Sequence, residues 1–312
     1  MTGSRGQDGS YLRDLLGYDK SIGCINPASD SGRSSLRNEV SVDLGDKASV
    51  LELLRETRPK SIFHLAAQHG PSTKMTFEKE DREAMRRTHV DATRNFLEAI
   101  EALRLDTHLV VAGSSRIFTA TEEVTSISEY SQPNPRDYYG ESKLAAWELV
   151  KNHRTQLGTR ASFLVLFNHE SPRRPKGYLS QDIAHAIHLF LERNSADVVL
   201  RDAEFLGDWC DARDVVALMS DLAKRPTGED LVVGSGSLKS VSAITRSVLS
   251  ATGASSATVK SSSAPLDNKT RNSLVAQNNK SIELGVWAPK FPIEKTIEEM
   301  VVDLLKSNPG GA

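Results

Sequence analysis

Cysteine is scarce in this sequence: Cys24 and Cys210 are the only two among 312 residues, and no CxxC pair occurs. Disulfide-dependent proteins usually carry more cysteines, and thiolate zinc sites need them in clusters. The scarcity therefore argues against a disulfide scaffold and against a thiolate metal site, and it fits a reducing compartment.

Neither sign of charge is in clear excess, because 39 lysines and arginines stand against 41 aspartates and glutamates. Broad attraction to nucleic acid or to an anionic membrane needs a clustered basic surplus, so we expect neither partner. Long apolar runs are also missing. No stretch reaches the ~18 to 20 apolar residues of a membrane span, and the N-terminus lacks the apolar run of a signal peptide. We therefore expect a cytoplasmic enzyme.

What the sequence does contain is an alternation of short apolar runs with helical patterns. Strands are predicted at 21–25, 61–66, 108–112, 162–167 and 231–234, and helices with one apolar face at 47–58, 86–103 and 139–157. This alternation is typical of an α/β fold with a Rossmann-type doubly wound parallel sheet. It weakens after Phe167, so we expect a first domain at 1–167, with a return segment near 205–235, and a smaller C-terminal lobe at 168–312. A Ser-rich loop is expected at 250–263 and a closing helix at 296–307.

Three glycines, Gly3, Gly6 and Gly9, form a GxxGxxG turn ahead of a helix predicted at 11–16. Such a turn lets pyrophosphate approach the backbone, and the helix N-terminus adds free N–H groups and partial positive charge. A glycine-rich turn without a ligand is the alternative. The second strand is not followed by the acidic residue that NAD-binding folds use for the ribose hydroxyls, which favours NADP over NAD. Basic residues that could face a 2′-phosphate are Arg5, Arg33 and Arg37.

Tyr139 and Lys143 form a YxxxK pattern, whose spacing puts both side chains on one helix face, one turn apart. A lysine ammonium near a tyrosine stabilises phenolate, so the tyrosine can take a proton from a sugar hydroxyl while a hydride leaves. A solvated helix face is the alternative. Ser114 and Ser115 follow a predicted strand, where a hydroxyl could hydrogen-bond the same reacting oxygen.

With these features together, the sequence resembles the extended short-chain dehydrogenase/reductase superfamily and, within it, the GDP-mannose 4,6-dehydratase family. The resemblance implies an NAD(P)-binding Rossmann domain at 1–167, a nucleotide-sugar lobe mainly at 168–312, and oxidation or reduction at C4 of a hexose. It also implies a GDP-hexose substrate and a homodimer or homotetramer. The segments that carry it are TGSRGQDGSYL at 2–12, DL at 43–44, LAAQ at 65–68, YGESK at 139–143, LFNHESPRR at 166–174 and DWCDARDV at 208–215.

The resemblance assigns roles to individual residues. Ser114, Tyr139 and Lys143 match the catalytic positions, and Tyr139 and Lys143 also contact the cofactor. Asn168 and Arg174 match positions that line the sugar-nucleotide site. Gly207 stands where the family has an arginine for the pyrophosphate, which leaves Arg201 or Arg213 as a substitute. The other matched cofactor contacts are Asp43 and Leu44 on the adenine side, and Leu65, Ala66 and Ala67 along the cofactor. His64, His69, His169 and Glu170 are interpreted as structural, and we expect no metal site.

Arg116 departs from the family pattern, because the dehydratases have at that position the glutamate that removes the C5 proton. A guanidinium stays protonated and cannot be that base. The first hypothesis is therefore chemistry at C4 without elimination. A dehydratase that uses another base, with Glu122 or Glu123 nearest in sequence, and an inactive cofactor-binding regulator are the alternatives. The alternative for Arg116 itself is that its side chain points away from the site and forms an exposed salt bridge with Glu122 or Glu123.

The N-terminus provides only Met1 and Thr2 before the glycine turn, where a Rossmann sheet needs a central strand of about five residues. We expect that Met1 is internal to the natural gene product, or that the first strand is severely shortened at a cost to cofactor binding.

Overall fold

The computed structural model describes residues 1–27, 37–68, 76–193, 196–262 and 273–307. Arg33 and His69 lie outside these ranges. The strands are β1 (Gly23–Ile25), β2 (Glu39–Ser41), β3 (Ser61–His64), β4 (His108–Ala112), β5 (Ser126–Ile127), β6 (Ala161–Leu166), β7 (Asn168–Glu170), β8 (Asp197–Leu200), β9 (Leu206–Asp211), β10 (Leu231–Val233), β11 (Leu238–Ser240), β12 (Thr258–Ser261) and β13 (Val275–Ala276). The helices are α1 (Gln7–Leu16), α2 (Lys47–Thr57), α3 (Lys79–Met85), α4 (Ala92–Ala102), α5 (Tyr138–Leu157), α6 (Leu179–Arg193), α7 (Ala212–Lys224), α8 (Val241–Ala251), α9 (Asn279–Glu283) and α10 (Ile293–Ser307).

The main sheet is parallel and has the order β2-β1-Thr2-β3-β4-β6-β10, in which Thr2 lies between β1 and β3 and forms parallel bridges to Cys24 and His64. Because successive side chains of a strand point to opposite faces, the sheet buries apolar residues on both sides. Leu109 and Val111 pack with α2, α4 and α5 on one face. Val110 packs with α1 and α7 on the other. This confirms the α/β fold class with a doubly wound parallel sheet.

A smaller group of elements follows β6. In it, β7 pairs in parallel with β9, β11 pairs antiparallel with β9, and β8 pairs with β12. Its core includes Ile187 of α6, Val248 of α8 and Ile297 of α10. The chain returns to the main sheet at α7 and β10, within the predicted return segment.

Three local expectations differ from the structure. The segment 250–263 is not simply a loop, because α8 ends at Ala251 and β12 runs over Thr258–Ser261. The predicted helix at 86–103 begins with a π-turn over Arg86–Asp91 and continues as α4. The helix after the glycines starts at Gln7 rather than Tyr11. Among the described residues, no helix combines the length and apolarity needed to span a bilayer.

The short N-terminal segment lies at the centre of the main sheet. The Met1 carbonyl accepts a hydrogen bond from Cys24 N at 2.7 Å, and Thr2 N donates to the Phe63 carbonyl at 2.9 Å. Next to Met1, between β1 and β3, lies a cavity of about 500 Å³ lined by apolar side chains that include Leu16, Leu54 and Ile62.

Candidate active site

The glycine turn and the ends of the parallel strands border one groove of about 370 Å³. Gly3 has φ +64°, a conformation that favours glycine, and a Cβ on Gly9 would lie 2.2 Å from the Gly3 carbonyl oxygen. The groove brings together the predicted cofactor residues Gly3, Gly6, Gly9, Asp43, Leu44, Leu65, Ala66 and Ala67. It also includes residues that sequence reasoning did not assign, among them Asn26, Arg87 and Tyr178.

Thr2 and His64 stabilise the carboxyl end of β3, where Leu65 and Ala66 border this groove. Thr2 Oγ1 accepts hydrogen bonds from Leu65 N and Ala66 N, both at 3.0 Å. Burial lowers the pKa of His64 to about 3, so the ring is neutral. His64 Nδ1 then accepts from the Thr2 hydroxyl at 2.9 Å, and Nε2–H donates to the Thr88 carbonyl at 2.9 Å. His64 therefore acts as a structural residue, as its position in the sequence suggested.

The arginines expected to face a 2′-phosphate have other contacts. The Arg5 guanidinium donates to Glu39, with the shortest contact at 2.7 Å, and the Glu39 side chain is only 1% exposed. Arg37 pairs with Asp19 at the surface. Asn26 follows β1, is exposed and lines the groove. An acidic residue at this position would repel a 2′-phosphate, whereas the amide of Asn26 carries no charge.

Tyr139 and Lys143 lie on the buried face of α5, with the Lys143 ammonium 5.9 Å from the Tyr139 ring centroid. Lys143 Nζ donates to the Ala112 carbonyl at 2.7 Å, and burial lowers its pKa to about 7. Burial raises the pKa of Tyr139, while the Arg116 charge and a hydrogen bond with Ser114 oppose that rise. The structure therefore brings the predicted triad of Ser114, Tyr139 and Lys143 together.

Arg116 also belongs to this cluster. Its guanidinium carbon lies 5.0 Å from the centre of the Tyr139 ring, and Nη2 pairs with Asp137. Asp137 caps α5, because its Oδ1 accepts from Gly140 N at 2.9 Å. The alternative of an outward Arg116 paired with Glu122 or Glu123 is therefore wrong. Both glutamates are exposed.

The segment 168–174 joins the glycine turn to the smaller sheet. His169 Nε2 contacts Asp8 Oδ2 at 3.0 Å, and Gln7 Nε2 donates to the His169 carbonyl at 3.0 Å. Arg174 lines the groove, with its guanidinium carbon 4.1 Å from the centre of the Tyr178 ring.

The two other predicted substrate residues lie differently. Asn168 is exposed on β7, and its amide is next to Gly207. Arg213 does not line the groove, because it is paired with Asp211 and Glu299 and lies over the Phe291 ring. The site therefore brings Arg174, but not Arg213, to the groove.

The sequence of this chain matches that of a known protein family. The family model described as GDP-mannose 4,6 dehydratase matches residues 1–300. The chain belongs to this family. It is 30% identical over 264 residues to GDP-mannose 4,6 dehydratase 2 of Caenorhabditis elegans, a match that covers 77% of this chain and 67% of that protein.

Two solved structures share the fold of this chain. RMD from Pseudomonas aeruginosa, in complex with NADPH, has a TM-score of 0.77 at 17% identity, covering 98% of each chain. UDP-glucose 4-epimerase of Thermotoga maritima, with UDP-glucose, has a TM-score of 0.77 at 20% identity and the same coverage. At these identities the likeness concerns the fold alone.

Proposed function

We propose that this protein is an NADP-dependent nucleotide-sugar enzyme that oxidises or reduces a GDP-hexose at C4, without the elimination of a dehydratase. The observation that carries the proposal is the cluster at the start of α5, where Ser114, Tyr139 and Lys143 meet beside Arg116. Membership in the GDP-mannose 4,6 dehydratase family supports the choice of substrate.

The groove beside this cluster fits a nicotinamide dinucleotide. The turn around Gly3 and Gly9 leaves no room for Cβ atoms, and Leu65 to Ala67 also line the groove. α1 starts at this turn without a side-chain cap, so its N-terminus can face a phosphate. When bound, this cofactor would accept or donate the hydride. The preference for NADP rests on the uncharged Asn26 at the end of β1. Arg5 would have to share its guanidinium between Glu39 and the phosphate.

In oxidation, the Tyr139 phenolate takes the proton of the C4 hydroxyl as the C4 hydride leaves. Ser114 donates a hydrogen bond to the same oxygen and orients it. Arg116 is the permanent positive charge next to the phenol, and it stabilises the phenolate that burial alone disfavours. Lys143 adds a second positive charge when it is protonated. Reduction runs through the same groups in reverse, with Tyr139 donating the proton.

In this proposal, Arg116 is the reason that water is not eliminated from the sugar. A guanidinium beside the sugar cannot accept the C5 proton, and Asp137 holds it at the start of α5. A cation there can instead stabilise negative charge that develops on the sugar. In the described loop, Glu122 and Glu123 face solvent and do not replace the missing base.

The test is incubation of the purified protein with NADP and a panel of nucleotide sugars that includes GDP-mannose, with products identified by mass spectrometry and NMR. We expect cofactor reduction or a C4 epimer and no 4-keto-6-deoxy sugar, whereas Arg116→Glu gains some of that product. Dehydration of GDP-mannose by the wild-type protein at ordinary dehydratase rates would reject the role given to Arg116. Tight cofactor binding without turnover across the panel would favour a regulatory protein.

Removal of the Tyr139 hydroxyl separates catalysis from binding. Tyr139→Phe should lower hydride transfer by at least about 100-fold, because proton transfer by a positioned side chain contributes roughly 10²- to 10⁴-fold. Its affinity for NADP should stay close to that of the wild type, because the glycine turn holds the cofactor. Calorimetry with NADP and NAD on both proteins measures this affinity and also the cofactor preference. Turnover at the wild-type rate by Tyr139→Phe would remove the phenol from the mechanism.

A further inference from the structure

His89 is a buried histidine that sequence reasoning did not assign, and it lies between the groove and the start of α5. It is 1% exposed and belongs to the π-turn over Arg86–Asp91, which separates α3 from α4. Turns of this kind are frequent at functional sites. The imidazole contacts both sides of the candidate active site, because one ring nitrogen bonds a residue of α5 and the other bonds the groove wall.

The hydrogen bonds of His89 fix the position of the proton on its ring. Ser142 Oγ donates its only proton to the Tyr139 carbonyl at 2.8 Å, so it accepts from His89 Nδ1–H, also at 2.8 Å. On the other side, Gln68 N donates to His89 Nε2 at 3.1 Å, and that nitrogen therefore carries no proton. The ring is neutral, and each nitrogen has a partner that fits this tautomer alone.

The Nδ1 side of the ring supports the catalytic tyrosine. The hydrogen bonds from His89 through Ser142 end at the backbone carbonyl of Tyr139, in the first turn of α5. The imidazole and phenol ring centroids are also 5.4 Å apart, with the two ring planes at 87°. Such an edge-to-face arrangement is a preferred geometry for two rings. His89 therefore contacts both the backbone and the ring of Tyr139.

The Nε2 side supports the groove wall formed by residues 65–68. Gln68 lines the groove directly after the predicted cofactor residues at 65–67. Its backbone N–H is held by His89, and the carbonyl of the preceding residue, Thr88, accepts from His64 Nε2. Two successive residues of the π-turn thus fix the path of the chain where it leaves β3.

We propose that His89 is a positioning residue that holds the Tyr139 phenol and the groove wall at a fixed distance from each other. The inference rests on the proposed function, in which Tyr139 moves a proton beside the dinucleotide bound in this groove. The proton and the hydride leave adjacent atoms of the sugar, so the phenol and the cofactor must both be in place at the same moment. A single ring that hydrogen-bonds both sides keeps them in place together.

Substitutions that copy one ring nitrogen at a time separate the two contacts. His89→Asn brings an amide N–H near the position of Nδ1 and keeps the contact with Ser142, whereas His89→Gln brings an amide oxygen near the position of Nε2 and keeps the contact with Gln68. His89→Ala removes both. The matched control is His108→Ala. His108 is also buried and its Nε2 contacts Ser162 Oγ at 2.9 Å, but it begins β4, at the opposite end of the sheet from the groove.

The experiment measures the NADP affinity of each protein by calorimetry, and kcat and KM with NADP and GDP-mannose. We expect His89→Gln to lower kcat about 10- to 100-fold at nearly unchanged NADP affinity, because the phenol is misplaced while the wall is held. His89→Asn should keep most of kcat and bind NADP about twofold to tenfold more weakly, the effect of one neutral hydrogen bond. His89→Ala should show both losses. His108→Ala should show neither, although it too loses a buried hydrogen bond.

The wild-type imidazole of His89 should show its proton on Nδ1 alone in 15N NMR. A proton on Nε2, or equal losses of kcat and of NADP affinity in His89→Asn and His89→Gln, would overturn this inference alone. Wild-type values for His89→Ala in both measurements would do the same. A wild-type protein that binds no NADP, or that binds it and turns over no nucleotide sugar, overturns the proposed function and this inference with it.

Discussion

Burial acts in opposite directions on the two groups of the YxxxK motif: it raises the pKa of Tyr139 and lowers that of Lys143 to about 7. Both shifts disfavour the phenolate and ammonium pair that proton abstraction needs. Arg116 opposes this, because a guanidinium keeps its charge and lowers the pKa of the nearby phenol. Local spacing predicted Tyr139 and Lys143, and the family resemblance singled out Ser114 after the strand that ends at Ala112. The sequence could not predict the partner of Arg116, because Asp137 is 21 residues away and has no periodic relation to it.

A bound dinucleotide should change the protonation of Lys143. At pH 8 a lysine with a pKa of about 7 is mostly neutral, and the negative phosphates of the cofactor should raise that pKa. We therefore expect NADP binding at pH 8 to take up roughly 0.5 to 1 proton. Calorimetry in two buffers of different ionisation enthalpy measures the uptake, and Lys143→Met should abolish it. Equal uptake by this variant would assign the proton to another group.

Among the secondary structure elements, β2 was missed by sequence reasoning, although it provides the residue that holds the glycine turn. Glu39 reaches across β1 at Gly23, where a Cβ would lie 2.8 Å from the Ser4 side chain. It accepts hydrogen bonds from Arg5 and Arg13, and the Arg13 side chain is fully buried. A strand of three residues is too short to show the alternation of apolar and polar residues by which strands are predicted. An acidic residue in such a segment also indicates an exposed position rather than a buried one. The long, regular helices α2 and α5 were found because their apolar stripes repeat over several turns.

Loss of Glu39 should therefore destabilise the protein strongly. Glu39→Ala leaves the buried Arg13 without its carboxylate, and breaking a buried ion pair from one side costs about 3 to 5 kcal/mol. The free energy of unfolding in urea, measured by circular dichroism, tests this. Asp19→Ala is the control, because it breaks the exposed pair with Arg37 and should have little effect. Equal, small effects of both substitutions would show that the Glu39 cluster does not stabilise the fold.

In the molecule as a whole, hydrogen bonds from the first turn of α1 connect the parallel sheet to the smaller sheet. Gln7 accepts from the Ser171 hydroxyl at 2.8 Å and Asp8 pairs with His169, while His169 Nδ1 donates to the Phe167 carbonyl at 2.8 Å. The sequence placed GQDGSYL and LFNHESPRR in one family pattern. Their contact could not be read from local patterns, because more than 160 residues separate Asp8 from His169 and only the sheet order brings them together.

This connection should make stability depend on pH. Burial acts to lower the pKa of His169, but the Asp8 carboxylate outweighs it and the pKa is raised above 6.5. Stabilisation from a raised histidine pKa is fully present below pH 6.5 and is lost as the pH rises through the folded-state value. The pKa of Asp8 is lowered despite burial, because of His169, so its contribution is lost only as the pH falls below about 3.8.

His169→Gln should therefore cost the most stability in mildly acidic solution. At pH 6 we expect a loss of about 1.5 to 3 kcal/mol, the range for a hydrogen bond to a charged group. The loss should shrink as the pH rises through the folded-state pKa of His169, because the imidazole then becomes neutral and no longer forms an ion pair with Asp8. Urea unfolding of both proteins from pH 6 to pH 9 measures the difference. A loss that stays constant from pH 6 to pH 9 would mean that packing, rather than the charge of His169, connects α1 to β7.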